Sequence, residues 1–161
     1  MSWTFNGLPI HVLLVHFVVI VVPLAALCVV LTMVWPAARK RLGIVTPLVG
    51  LAALISVPIA VEAGEALEEQ VNETALNELH AHLGRDLLPW AIALFIVALV
   101  QWVWFHYFTG DGSLAKRISS RTTRIIITVV LAVAVAVVVV GADYEVFVIG
   151  ESGAKAVWLG R

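Results

Sequence analysis

The chain has 161 residues, 61% of them hydrophobic and only 13% charged, with a mean hydropathy of +1.02. A water-soluble domain is about 45–50% apolar and about 25% charged, so this composition excludes one. Ten Lys and Arg against eleven Asp and Glu give a net charge of −1, which leaves no basic face for nucleic acid. The single cysteine, Cys28, excludes an internal disulfide and any CxxC site.

Four charge-free stretches follow one another: 8–35, 42–61, 87–110 and 125–142. Each reaches the length of roughly 18 residues or more that crosses a bilayer, and none alternates as barrel strands do. The expectation is an all-α, four-helix transmembrane bundle in one domain, with helices at about 8–35, 42–70, 73–109 and 120–142. The first stretch has no preceding positive charge and is too long for a cleaved signal peptide.

The segment after the first stretch carries Arg39, Lys40 and Arg41. The segment after the third carries Lys116, Arg117, Arg121 and Arg124 against Asp111. Between the second and third, Arg85 is the one base among Glu62, Glu65, Glu68, Glu69, Glu73, Glu78 and Asp86. Basic loops stay in the cytoplasm, so both termini and the acidic hairpin are expected outside. Trp3, Trp35, Trp90, Trp102, Trp104 and Tyr107 lie near the proposed helix ends, as an aromatic belt does.

Residues 62–88 are rich in Glu, Ala and Leu, good helix formers. The second and third helices are therefore expected to extend beyond the membrane on the outer side and turn back near Val71 and Asn72, with Asn72 as a cap. Pro89 would kink the third helix. The tail, 143–161, is expected as a short hairpin or a segment lying along the interface.

Polar groups in membrane helices are costly and mark functional candidates. His106 lies among aromatics at the inner end, roughly 36 Å from His82 along a straight helix, and reads as a belt residue. His11, His16, His80 and His82 all fall at the outer end. His11 and His16 are about 140° apart around their helix, and His80 and His82 about 200° apart, so one from each pair can point at a shared centre. Depth favours His16 and His82 for that centre. Two facing imidazoles suit haem iron, copper or zinc, and a four-helix bundle can hold haem b between facing helices. Alternatively the imidazoles only hydrogen-bond between helices, with no cofactor.

Glu62, Glu65 and Glu69 share one helix face. Glu62 directly follows the apolar run, so a His16, Glu62 and His82 triad could bind copper, zinc or iron in place of haem. Otherwise the acidic row is a solvated face. No P-loop, nucleophile elbow or HExxH is present, so neither a hydrolase nor a nucleotide-binding enzyme is indicated.

Three segments resemble one family. LPIHVLLVHF at 8–17 resembles its opening, AGEALEE at 63–69 with ELHAHLG at 78–84 its acidic hairpin, and IGESGAKAVWLG at 149–160 its closing segment. The family is that of the predicted bacterial membrane proteins of domain of unknown function 2231. It often has His where this chain has Glu151, and Pro where it has Val18. The resemblance implies four membrane helices in a bacterial inner membrane. Its recurrent positions fall on His11, His16, His82 and the stretch from Gly150 to Ala154. Some relatives carry Rieske domains, which implies respiratory electron transfer.

Three functions follow as expectations. The first is a redox component binding haem b, or a metal ion, on the outer side. The second is a non-catalytic accessory subunit of a larger membrane complex, or a homo-oligomer. The third, a transporter, is disfavoured by the lack of a midplane charge or inverted repeat.

Overall fold

The computed structural model describes residues 4–5, 8–68 and 75–159. Four helices are long and apolar enough to cross a membrane. They are α1 (Ile10–Val34), α3 (Val45–Glu68), α4 (Ala75–Val103) and α5 (Arg121–Leu159), with a short α2 (Pro36–Leu42) between the first two. Before α1, Thr4–Phe5 pairs antiparallel with Leu8–Pro9.

The chain leaves α1 at Trp35, whose backbone is extended (φ −121°, ψ 109°). Pro36 forces this, because a residue before proline is pushed out of the helical region. The same proline then opens α2, where its missing N–H costs nothing. Helix α2 ends on Gly43 at φ +42°, a backbone setting that glycine reaches without penalty. The basic segment between the first two apolar stretches is therefore a short helix of its own, and α3 starts at Val45.

Helix α1 packs on α3, α3 on α4, α4 on α5, and α5 back on α1. The bundle is thus a closed ring in which α1 and α4 are diagonal partners. The core is built of small and β-branched residues: Val22, Ala25 and Val29 from α1, Ala53 and Val57 from α3, Ala91, Leu94 and Ala98 from α4. In lipid no hydrophobic drive separates one apolar face from another, so small side chains that admit close backbone contact hold such helices together. Gln101 adds a polar tie, its Nε2 donating to the Val29 carbonyl at 3.0 Å.

One end of the bundle is closed by the basic connections. Arg39 donates through Nε and Nη2 to the carbonyls of Thr32 and Met33, each at 2.8 Å, and its guanidinium lies 3.4 Å from the centre of the Phe105 ring. Arg124 donates to the carbonyls of Ile118 and Ala115. These cations satisfy carbonyls left without helical partners. At this end α4 continues as a π-helical turn, Trp104–Phe108, where His106 stacks on Trp102 at 5.4 Å.

At the opposite end α3 continues past the apolar run to Glu68, and α4 begins at Ala75, well before Leu87. The expected turn near Val71 and the Asn72 cap lie outside the described residues. The tail departs from expectation. Residues 143–159 are neither hairpin nor interfacial segment but the continuation of α5 to Leu159. Gly150 and Gly153 are tolerated within it, and Ser152 bonds back to the Ile149 carbonyl at 2.8 Å. The extra turns have neighbours to pack on, since α4 also runs past its apolar stretch.

Candidate functional site: a histidine pair at the hairpin end

The start of α1, the end of α3, the start of α4 and the end of α5 meet at the hairpin end. There His11 and His80, from the diagonal helices, bring their ring centres to 6.3 Å with the planes 82° apart. Both rings line a cavity of about 150 Å³. Its walls are otherwise mainly apolar, with Val15, Val18, Val57, Leu87 and Val146 among them.

Each ring is fixed through Nδ1. His11 Nδ1 lies 2.9 Å from the Ala60 carbonyl oxygen on α3. A carbonyl only accepts, so Nδ1 carries the proton. His80 Nδ1 lies 2.8 Å from Ser152 Oγ on α5. The Ser152 hydroxyl gives its own hydrogen to Ile149, so it accepts from His80 and again Nδ1 carries the proton. In the neutral form both Nε2 atoms then hold lone pairs. A metal-ligating histidine is typically held this way, its other nitrogen donating to an oxygen that sets tautomer and orientation.

Glycine makes room for both rings. A Cβ at Gly64 would stand 2.9 Å from His11 Cε1, and one at Gly153 would stand 3.0 Å from His80 Cε1. The first contact would force the His11 ring to shift, and the second would make the His80 ring give by a few tenths of an ångström. Four helices thus contribute to one pair: α1 and α4 supply the rings, α3 and α5 the oxygens and the open space.

The other candidates stand apart. His16 is exposed and turns back on its own helix, its Nδ1 2.6 Å from the Val12 carbonyl. His82 is exposed and pairs with Asp86 one turn on, at 3.2 Å. Glu62 is exposed and does not line the cavity. The expected pairing of His16 with His82 rested on depth along the helices. Rotation decides instead, and the phase that turns His11 and His80 inward turns the other two outward. Among the described residues no three His, Cys, Asp or Glu side chains gather as a ready metal site.

Two contributors were not assigned to this site from the sequence. Ser152 sat in a segment expected as a tail, and only the helical continuation of α5 brings it to His80. Glu65 lines the cavity, with Oε1 3.2 Å from Arg85 Nη1. It was visible only as one member of the acidic row.

Comparison with protein-family models, with curated proteins and with solved structures gave no match.

Proposed function

We propose that this chain is a small inner-membrane protein that holds a transition-metal centre between His11 and His80 on the outer side of a bacterial membrane, and that it serves electron transfer there. The observation that carries the reading is the pair of Nδ1 hydrogen bonds, which leave two Nε2 lone pairs at one cavity. Metal–imidazole bonds of about 2.0–2.1 Å, plus about 1.2 Å from nitrogen to ring centre, set two rings on one ion roughly 5.3 Å apart at a tetrahedral angle and roughly 6.5 Å apart when collinear. The observed 6.3 Å lies within that range. Imidazole ligands suit copper, iron and zinc, and electron transfer requires copper or iron. The outer placement follows from the basic loops at the other end.

The cavity volume favours a bare ion, since about 150 Å³ is below the roughly 300–1,000 Å³ of pockets that take larger ligands. The ligand count supports haem b as a second reading, because a haem supplies four nitrogens itself and asks the protein for two axial ligands. That occupant requires the helix ends to part.

Purified full-length protein, analysed for metals and by absorption in oxidised and reduced states, tests the reading. Stoichiometric copper or iron, lost in both His11→Ala and His80→Ala, is the expected result. A reducible Soret band lost in the same variants would select haem. Protein that is colourless, metal-free and unresponsive to added Cu⁺, Zn²⁺ and haem would overturn the reading and leave an accessory-subunit role.

A further inference from the structure

The cavity around the histidine pair holds a carboxylate that the pair itself does not use. Among the described residues lining it, Glu65 is the one acid. Its backbone neighbour Gly64 lies directly against the His11 ring, so the Glu65 side chain starts close to the pair. In the present arrangement that side chain is turned to Arg85, at 3.2 Å, and both partners are half exposed.

We infer that Glu65 is the third ligand of the centre and that Arg85 holds it in reserve until an ion arrives; this rests on the metal-binding reading above. Charge is the first reason. Two neutral imidazoles leave the full charge of a metal cation uncompensated in a cavity with mainly apolar walls, and an uncompensated charge in such surroundings is strongly disfavoured. Glu65 is the anion at hand. Coordination is the second reason. Two nitrogens and one carboxylate, with a position left for water, form a recognised set for zinc and for redox metals. The switch is cheap, because an exposed ion pair contributes only about 0.2–1 kcal/mol.

The site is thus a bare-ion centre of two histidines and one glutamate, supplied by α1, α3 and α4. Glu62, the acid one turn earlier on α3, is exposed away from the cavity and serves as the matched control. It carries the same charge on the same helix.

The test is titration of the purified full-length chain in detergent with Zn²⁺, which is redox-silent, followed by calorimetry. Wild type and Glu62→Gln are expected to bind alike, and Glu65→Gln at least tenfold more weakly. Arg85→Ala is expected to bind about 1.4–5-fold more tightly, the ion-pair contribution expressed as affinity. Glu65→Cys, loaded with Co²⁺, is expected to show a thiolate-to-cobalt charge-transfer band that wild type lacks. This signature reports direct ligation and would not arise from a purely electrostatic effect.

Glu65→Gln binding Zn²⁺ as Glu62→Gln does, while His11→Ala abolishes binding, would overturn the third ligand and leave the histidine centre standing. Absence of the cobalt–thiolate band in a Glu65→Cys protein that still binds Co²⁺ would do the same. Failure of wild type to bind Zn²⁺, Cu⁺ or haem would remove the centre itself.

Discussion

Ser152→Ala tests the claim that the bundle presets the histidines. The substitution removes one oxygen from a helix surface that is already buried, with Ser152 at 8% exposure. Alanine favours helix as well as serine or better, so α5 should be kept. What is lost is the acceptor 2.8 Å from His80 Nδ1. A half-buried N–H without any partner costs about 1–3 kcal/mol, an upper bound here because the Ile149 carbonyl also bonds the ring. His80 can avoid that cost by moving its proton to Nε2, but the lone pair needed for ligation is then gone. Either way the metal-competent tautomer loses up to about 3 kcal/mol against the alternative. At 1.4 kcal/mol per factor of ten, affinity should fall by up to about 150-fold.

That range overlaps the 10–100-fold typical of losing a partner that orients a metal ligand. The assay is a competition titration of Zn²⁺ against a chromophoric chelator, run on wild type, Ser152→Ala, Ser152→Thr and His80→Ala. Threonine keeps the hydroxyl and should retain most of the affinity. If His80→Ala abolishes binding while Ser152→Ala binds as wild type, the hydrogen bond does not orient the ring and the preset-tautomer argument fails.

The topology argument predicts that a cysteine at exposed Lys155, in a Cys28→Ala background, reacts with a membrane-impermeant reagent on intact cells; reaction only after lysis would invert the orientation. Hydrogen exchange should find the amides of 143–157 protected as a helix, and uniformly fast exchange there would reject the extension of α5. Gly64→Ala puts a Cβ 2.9 Å from His11 Cε1, so the ring must shift and its bond to the Ala60 carbonyl is strained or lost. Metal affinity should drop at least tenfold while the apo fold loses about 1–2 kcal/mol, and unchanged affinity would show the ring has room to yield. Gln101→Leu removes a buried Oε1 with no partner together with the Nε2 bond to Val29, whose carbonyl still accepts from Thr32. Its effect on unfolding in detergent should stay within about 1 kcal/mol, and a loss above about 2 kcal/mol would mean Oε1 is satisfied by a group not seen here.

The four helices long and apolar enough to cross a membrane were legible because hydropathy reports a single strong constraint, the pairing of every backbone group inside lipid. Helix ends were less legible where tertiary contacts decide them. The stretch from Asp143 to Leu159 carries two glycines and mixed polarity, and by itself it reads as irregular. It is helical because α4 runs past its apolar stretch and gives those turns something to pack on. The break at Trp35 falls where the first helix was expected to end, at about 35, and Pro36 supplies the physical reason.

The histidines show the same division. Their gathering at one end followed from counting residues along the helices. Which pair meets did not. That depends on helix rotation, and rotation is set by the small-residue faces of all four helices acting together. An apolar moment would normally reveal such a face, but these helices are apolar all round. A helix buried or lipid-facing on every side gives no periodic signal, so the inward phase of His11 and the outward phase of His16 have no mark in the local sequence.

A purely structural role would explain the pair if the imidazoles tied helices together and nothing more. His11 does tie α1 to α3, and His80 ties α4 to α5. Each tie uses Nδ1, and asparagine or glutamine could make it with the same kind of donor. The remaining arrangement has no part in holding helices. Two rings on diagonal helices meet at 6.3 Å, and two glycines clear the space beside them. The tautomer that the ties impose directs the second nitrogen of each ring to act as an acceptor.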